Sequence, residues 1–528
     1  MRFVKKQLSC SDTFIINEKK AGFRSISIIA CFVMFNFIFP IDIYAADTKS
    51  SNTILITGWP YDQLPDKVPP LLLGSNPIIG RLACPPLVRF NAQNDSFEPL
   101  IFKSVTTSSH NNTDTWHFKL RTGIYWWNDQ EVNTNDIALF FKKNLEDILM
   151  KKTGISFKEN PFTITTTTSE ISIKWSKEIK YGPYIISEVP LWRQISLKTK
   201  NLLQYECAGI YKIKKTPSQL LLLPSKKYKA TKATLAIETK VHTKEKNTAE
   251  MVMEFETASN LSSKLPNRSP DIKNKCENTI FLPAMTLISW NPKSHIIANQ
   301  KLKDAIYSMF PKDTLLRSGA GYYGRVVSSP IVLDGSISKK NTVFEDEEHL
   351  KLYNQMLDQS GFTKKNKKGI RINNKGVSLV INIGRLGPQL FLLEKIIGDI
   401  FYSLGIELNF VTIKNNIFTQ VDGIIYIAMI PWPELNFMSN FHSKSQLNFP
   451  YQFTTGKLDH LLEDYAIKLS NGKKDTALLK KIKTHIEDSK LITALLHHSA
   501  CLNINPNKKL SVNWENPDWF RNFITTNF

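Results

Sequence analysis

Residues 84–145 read CPPLVRFNAQNDSFEPLIFKSVTTSSHNNTDTWHFKLRTGIYWWNDQEVNTNDIALFFKKNL. Leu87, Val88 and Phe90 form an apolar strand that stops at the polar turn Asn91–Ser96. Trp116, Phe118 and Leu120 alternate with His117, Lys119 and Arg121, the period of a strand with one buried face. Thr122-Gly123 is a turn, and Ile124–Trp127 is aromatic and extended. Asn133 or Thr134 then caps a helix, with Asp136 at its positive end. Ile137, Phe140, Phe141 and Leu145 mark the buried side of that helix. The stretch therefore predicts several short strands leading into an amphipathic helix.

The order and spacing of these elements resemble the first signature block of the family 5 extracellular solute-binding proteins. Those are the peptide-, dipeptide- and nickel-binding receptors of ABC importers. The family pattern is a Leu-Val-Arg-like strand, Pro-x-Leu-Ala, Phe-x-Leu-Arg-x-Gly-x-x-Trp-x-Asp-Gly, and Thr-Ala-x-Asp opening a helix. Here Leu87-Val88-Arg89, Glu98-Pro99-Leu100, Phe118 to Gly123, Trp126 and Asn133 to Asp136 take those places, with no gap between Phe118 and Ile137. The family's Asp-Gly falls on Asn128-Asp129, so the turn glycine is replaced.

Three further blocks follow in the family's order. Gly209-Ile210-Tyr211-Lys212-Ile213 resembles Gly-x-Tyr-x-Ile. Thr286 to Asn291 resembles the strand ending in Asn, and Leu302, Ala305, Ile306 and Met309 have helical spacing behind it. Lys303, Ala305, Met309 and Lys312 fall on the Arg, Ala, Ala and Arg of the family's helix, while Pro311 falls on its Asp. Gly319-Ala320-Gly321-Tyr322-Tyr323-Gly324 matches Gly-x-Gly-x-x-Gly literally. A helix precedes it and Pro330 follows it, however, and a dinucleotide loop needs the reverse context. Further on, Leu379–Ile383, Leu392–Leu404 and Gly405–Leu408 read as strand, helix, strand, a βαβ unit with parallel strands. Ile424–Ile430 is a near-continuous apolar strand. In the last block, peptide-binding members carry Gly-Trp-x-x-Asp-Tyr, whose acid pairs with the ligand's α-ammonium. This chain has Met429-Ile430-Pro431-Trp432-Pro433-Glu434-Leu435-Asn436, with Leu435 at the acid's position and Glu434 one residue earlier. Leu458–Leu469 and Leu478–Ile486 read as two amphipathic helices, and Leu491–Leu496 and Cys501–Ile504 as two returning strands.

Residues 1–46 read as a secretory signal. Lys5, Lys6, Lys19, Lys20 and Arg24 precede the apolar run Ile26–Phe39, and Tyr44-Ala45-Ala46 supplies small residues for cleavage after Ala45 or Ala46. Apolar residues continue past Cys31, where a lipoprotein would turn polar. The formal net charge is +21; loss of residues 1–46 removes six basic and three acidic side chains and leaves +18. The lysines are scattered singly and in pairs such as Lys226-Lys227 and Lys364-Lys365, which reads as a solvated basic surface with a weak preference for anionic partners. No helix-turn-helix, zinc or RNA-binding motif accompanies that charge, so nucleic acid is not an expected partner. Four cysteines lie beyond the signal: Cys84, Cys207, Cys276 and Cys501. An exported chain with an even number permits two disulfides in any of three connectivities.

No catalytic constellation is visible. His497-His498 is the most tempting metal pair, but neighbouring residues on a strand point to opposite faces and cannot grip one ion together. No nucleophile elbow, helical zinc motif or kinase signature appears. Neither an enzyme nor a resident metal or cofactor is expected.

At 528 residues, with 42% hydrophobic and no low-complexity tract, the chain needs more than one core. The resemblance implies an α/β fold of the type II periplasmic binding protein kind, two lobes with mixed sheets plus an inserted β-rich domain. The signal would occupy 1–46; lobe I 47–84, 196–285 and 490–528; the inserted domain 85–195; and lobe II 286–489. It further implies a monomeric periplasmic receptor of an ABC importer. Such a receptor would capture an oligopeptide or peptide-like solute by lobe closure and pass it to an inner-membrane permease. A nickel-chelate receptor and a transport-incompetent sensor are the alternatives. Trp432, Glu434, Trp126, Tyr322 and Tyr323 are the candidate ligand contacts, since an aromatic-lined cleft with few charges suits a ligand held by burial.

Overall fold

The computed structural model describes residues 53–57, 82–91, 96–110, 113–153, 161–176, 179, 182–196, 203–215, 219–228, 233–238, 251–256, 278–317, 325–327, 329–331, 347–386, 391–413, 418–429, 437–438, 440–445, 456–471 and 473–505. The strands of the main sheet are β1 (Thr53–Thr57), β2 (Tyr211–Lys215), β3 (Gln219–Pro224), β4 (Thr234–Glu238), β5 (Met251–Glu256), β6 (Thr279–Trp290), β7 (Val380–Leu386), β8 (Glu407–Thr412), β9 (Gly423–Met429) and β10 (Ile492–Asn505). Their spatial order is β2-β3-β4-β1-β5-β10-β6-β9-β7-β8, and the short strand Arg325–Val326 joins the side of β10.

This sheet holds two parallel triplets. β4, β1 and β5 run together, as do β8, β7 and β9. Between them, β5 to β10, β10 to β6 and β6 to β9 are all antiparallel, so the second triplet runs opposite to the first. The long strands β6 and β10 cross from one triplet to the other. The two C-terminal strands expected at 491–496 and 501–504 are thus one uninterrupted strand of fourteen residues. His497 and Ser499 supply its middle, and strand pairing with β6 on both sides of them carries the ladder through.

The expected βαβ unit is present: β7, the helix Phe391–Ser403 and β8 follow one another, and the two strands pair in parallel from Val380↔Glu407 to Arg385↔Thr412. One apolar cluster joins Ile381, Ile383 and Ile406 to Ile397 and Phe401 of that helix and to Leu302 and Ile306 of the helix Gln300–Ser308. A second cluster backs the first triplet through Ile54, Ile56, Leu235, Ile237, Met251 and Met253.

The insertion is β-rich. Its four-stranded antiparallel sheet runs 102–110, 113–120, 170–175, 162–166, with the helix Thr134–Thr153 packed on it. Trp116 and Phe118 are buried as their alternation requires, and so are Ile137, Phe140, Phe141 and Leu145 of the helix. This core continues into the helices Gly456–Ser470 and Thr476–Ser489, whose Leu458, Leu462, Tyr465, Leu479 and Ile482 belong to the same cluster.

The root of the insertion is a tied crossing. Cys84, where the chain leaves the first strand set, is disulfide-bonded to Cys207, where the hairpin 192–196/203–207 brings it back; their Cα atoms are 5.0 Å apart. Cys501 is also disulfide-bonded, and its partner lies outside the described residues. Gly209 stands two residues after Cys207. A Cβ there would stand 2.0 Å from the Ala83 carbonyl oxygen, so only glycine lets the outgoing and returning chains touch.

Candidate functional site

In open α/β sheets ligands bind beyond the carboxyl ends of parallel strands, where successive connections leave in opposite directions. Both triplets offer such a point: β1 lies between β4 and β5, and β7 between β8 and β9. The ladder registers bring their ends together. The last residue of β5, Glu256, lies opposite Cys501, and the last of β9, Met429, lies opposite Ala284. On the crossing strands, Thr279 pairs with Cys501, Phe281 with Ser499 and Met285 with His497. The two sets of carboxyl ends therefore face each other across one short stretch of β6 and β10.

That stretch is irregular. Leu282, Pro283 and Ala284 on β6 stand against the single residue His498 on β10, and a second register shift follows between Thr286 and Leu287. Proline has no N–H for the ladder, and a bulge is where a strand tolerates it. Polar groups lie at this bulge and along the strands that lead to it. His498 Nε2 is 2.7 Å from Thr286 Oγ1, and burial pushes its imidazole down to about 4, so it is neutral at physiological pH. Among the described residues, Ser499 Oγ and Thr57 Oγ1 at the end of β1 are buried without a hydrogen-bond partner. Tyr426 of β9 pairs with Leu287 and Leu386, and burial raises its phenol far above the ordinary range, which keeps it a neutral donor. At the end of β7, Arg385 makes two 2.7 Å hydrogen bonds to Glu394 and stacks over Phe410, so its charge is already answered. Among the described residues no group of three or more His, Cys, Asp or Glu side chains could hold a metal ion.

The expected ligand contacts divide as follows. Trp432 and Glu434 come three and five residues after Met429, and Tyr322 and Tyr323 come just before the short strand Arg325–Val326, which pairs with His497 and Leu496. All four lie outside the described residues. Trp126 belongs to the root of the insertion: its ring is 1% exposed, its N–H donates to Asp136 Oδ2 at 3.0 Å, and the Arg193 guanidinium lies 4.5 Å from the ring centroid. The same Arg193 reaches Glu206 at 2.8 Å and Gln130 at 2.9 Å, while Glu206 accepts from the Asn128 N–H. In this structure Trp126 is a packed and hydrogen-bonded member of that network and exposes no face to a ligand. Sequence reading passed over Thr57, Ser499 and the one-sided role of His498. The signal that could have found them is Pro283, set inside an otherwise apolar strand.

The first signature block is built as its spacing suggests. Asn133 accepts from the Asp136 N–H at 3.0 Å while Asp136 accepts from the Asn133 N–H at 3.2 Å, a reciprocal cap on the helix Thr134–Thr153. Asp129, at the place of the family's turn glycine, has φ +68 and pairs with Lys212 at 3.2 Å. The backbone keeps the left-handed turn although the glycine is gone, because a short carboxylate tolerates that conformation better than other side chains.

No curated protein sequence matches the chain. Several solved structures share its fold. NikA from Brucella suis in complex with Fe(III)-EDTA aligns over 89% of this chain and 99% of its own, with a TM-score of 0.62 at 15% identity. The oligopeptide-binding protein AppA from Bacillus subtilis, in complex with a nonapeptide, aligns over 88% and 97%, at 0.58 and 14%. NikZ from Campylobacter jejuni in complex with Ni(L-His) aligns over 86% and 94%, at 0.58 and 17%. The type II periplasmic binding protein fold is therefore shared well below the identity at which ligands could be carried across. The sequence profile of the bacterial extracellular solute-binding proteins, family 5 Middle, matches residues 96–440, from the first hairpin of the insertion to the segment beyond β9. The chain belongs to the family 5 bacterial extracellular solute-binding proteins.

Proposed function

We propose that this protein is the receptor of an ABC importer that captures an oligopeptide or peptide-like solute between its two strand sets and hands it to a membrane permease. The observation that carries this is the convergence of two opposed sets of strand carboxyl ends on the bulged crossing at Phe281–Met285 and His497–Ser499. A solute held there touches both sets at once and stabilises the arrangement in which they are close. Partners are the solute and an inner-membrane permease; the receptor works as a monomer in the periplasm after loss of residues 1–46, with no catalytic step. Trp432, Glu434, Tyr322 and Tyr323 are its proposed contacts. Leu435 in place of an acid argues for a ligand without a free α-ammonium, such as a blocked or cyclic peptide. Native mass spectrometry of protein recovered from the exported fraction should show a retained small solute. A peptide library containing blocked and cyclic members should raise Tm. An empty protein that no library member stabilises refutes the peptide reading.

One observation favours a nickel-chelate receptor as the second reading. His498 stands opposite the bulge at 282–284 at the crossing, and an imidazole at that place suits a nickel chelate held between the strand ends. Titration calorimetry with nickel–histidine complexes separates the two: saturable heat lost in His498→Ala supports the chelate.

A further inference from the structure

Between Asp358 and Glu394 the chain carries five lysines, two arginines and no Asp or Glu. Both arginines are neutralised within the fold. Arg371 is buried and bonded to Asp358, Asn354 and the Phe362 and Leu404 carbonyls, and Arg385 is paired with Glu394. The five lysines are different. Lys364, Lys365, Lys367, Lys368 and Lys375 are all exposed, and none of them forms an ion pair among the described residues.

The fold gathers them on one flap. Lys364 pairs with Ile372 and Lys365 with Arg371 in a two-residue hairpin whose tip is Asn366 to Gly369. The chain then bridges from Ile372 to Ser378 around a turn that holds Lys375. The Arg371 N–H donates to Gly405 and the Leu379 N–H to Arg371, which seats the flap at the amino ends of β7 and β8. Two exposed apolar side chains flank the lysines: Tyr402, 58% exposed, whose hydroxyl donates to the Lys368 carbonyl at 3.2 Å, and Val377, 52% exposed. Of the acids nearest in the chain, Asp358 is taken by Arg371, and Asp399, one turn before Tyr402 on the same helix, forms no ion pair with the five lysines among the described residues.

The flap is at the opposite end of the strands from the solute site. β7 runs from Val380 beside the flap to Leu386 at the carboxyl end, roughly 20 Å at a strand's rise per residue. Its charge is therefore not part of ligand capture. We infer that the Lys364–Lys375 flap is a docking surface for an anionic phospholipid membrane. Exposed lysines on a small projecting hairpin can lay their ammonium groups among phosphate headgroups while their stems and Tyr402 rest at the interface. Its exposed large apolar side chains among the described residues, Tyr402 and Val377, are too few to make the apolar core that a protein partner fills. A contact made by exposed ammonium groups is screened by salt and so reversible by it.

The test is flotation of the full chain with vesicles of phosphatidylcholine alone and of phosphatidylcholine mixed with phosphatidylglycerol, at physiological ionic strength. The N-terminal segment, with its own basic side chains, is identical in the parent and in every lysine combination, so the difference between them reads the charge of the flap. Near a headgroup layer each lysine is worth about fivefold in binding. The combination Lys364→Gln, Lys365→Gln, Lys367→Gln, Lys368→Gln should lower the preference for the anionic vesicles by roughly a hundredfold or more and leave Tm unchanged. An equal loss of charge elsewhere, at the exposed Lys142, Lys143, Lys480 and Lys481, should lower it far less. No preference for anionic vesicles, or the same loss in both combinations, overturns the inference.

Discussion

Gly209 lies so close to Ala83 that no other residue fits: the nearest atoms to a Cβ built on it are the Ala83 carbonyl oxygen and carbon, at 2.0 and 2.4 Å. These are backbone atoms beside the Cys84–Cys207 bridge, and they cannot rotate away. Gly209→Ala should lower unfolding free energy by about 2–3 kcal/mol, the usual penalty of forced overpacking, measured by urea melts. A change below 0.5 kcal/mol would mean that the two chains separate freely here.

The bridge itself should matter more. It spans a sequence separation of 123, and tying a loop of that size restricts the unfolded chain. Replacing both cysteines, Cys84→Ala with Cys207→Ala, should cost about 4 kcal/mol under oxidising conditions. The comparison is made without reductant because Cys501 is bonded too.

Arg193 carries a third expectation. Its side chain stacks on Trp126 and bonds Glu206, whose carboxylate side chain is only 5% exposed. Arg193→Ala leaves that carboxylate buried without a counter-charge, which should cost about 3–5 kcal/mol. Arg193→Lys should recover only part, because an ammonium cannot stack and fork at once. Full recovery by lysine would reduce the site to simple charge pairing.

Asp129 tests the turn. Asp129→Gly should stay within about 0.5 kcal/mol of the parent, since relief of the left-handed backbone offsets the loss of a half-exposed ion pair to Lys212. Asp129→Val should destabilise by about 1–2 kcal/mol.

His498 sets a pH dependence. Its pKa is lowered by burial to about 4, below the unfolded value of 6.5, so between these values the unfolded chain takes up a proton that the folded chain refuses. Its contribution is complete above pH 6.5 and is lost as pH falls towards 4, by at most about 1.4 kcal/mol per pH unit. Chemical denaturation from pH 7 to 4 should show a shallower decline for His498→Gln than for the parent. Parallel slopes would place the imidazole in water.

Much of this architecture could be read beforehand because it rests on local rules. The alternation around Trp116 and Phe118, the cap at Asn133 and Asp136, and the strand–helix–strand run from Leu379 to Leu408 each depend on a few neighbouring residues, and each stands where the pattern put it. What escaped depends on distant pairing. The two apolar runs on either side of His497 and Ser499 looked like separate strands because polar residues interrupt them; only the partner strand β6 makes them one. Trp126 looked like a cleft aromatic because nothing local reveals that Arg193 and Asp136 enclose it. The gathering of five lysines on one flap, likewise, follows from a hairpin of two residues per strand that no periodicity announces.

β10 is a single ribbon shared by both halves of the sheet, laddered to β5 at one end and to β6 along most of its length. Any change in the angle between the halves is consequently a torsion of that ribbon. Such a joint is a strip and not a pin: a twist applied to it is shared among the hydrogen bonds along its whole length. Opposite its His498, the bulge around Pro283 on β6 interrupts the ladder that holds the strip.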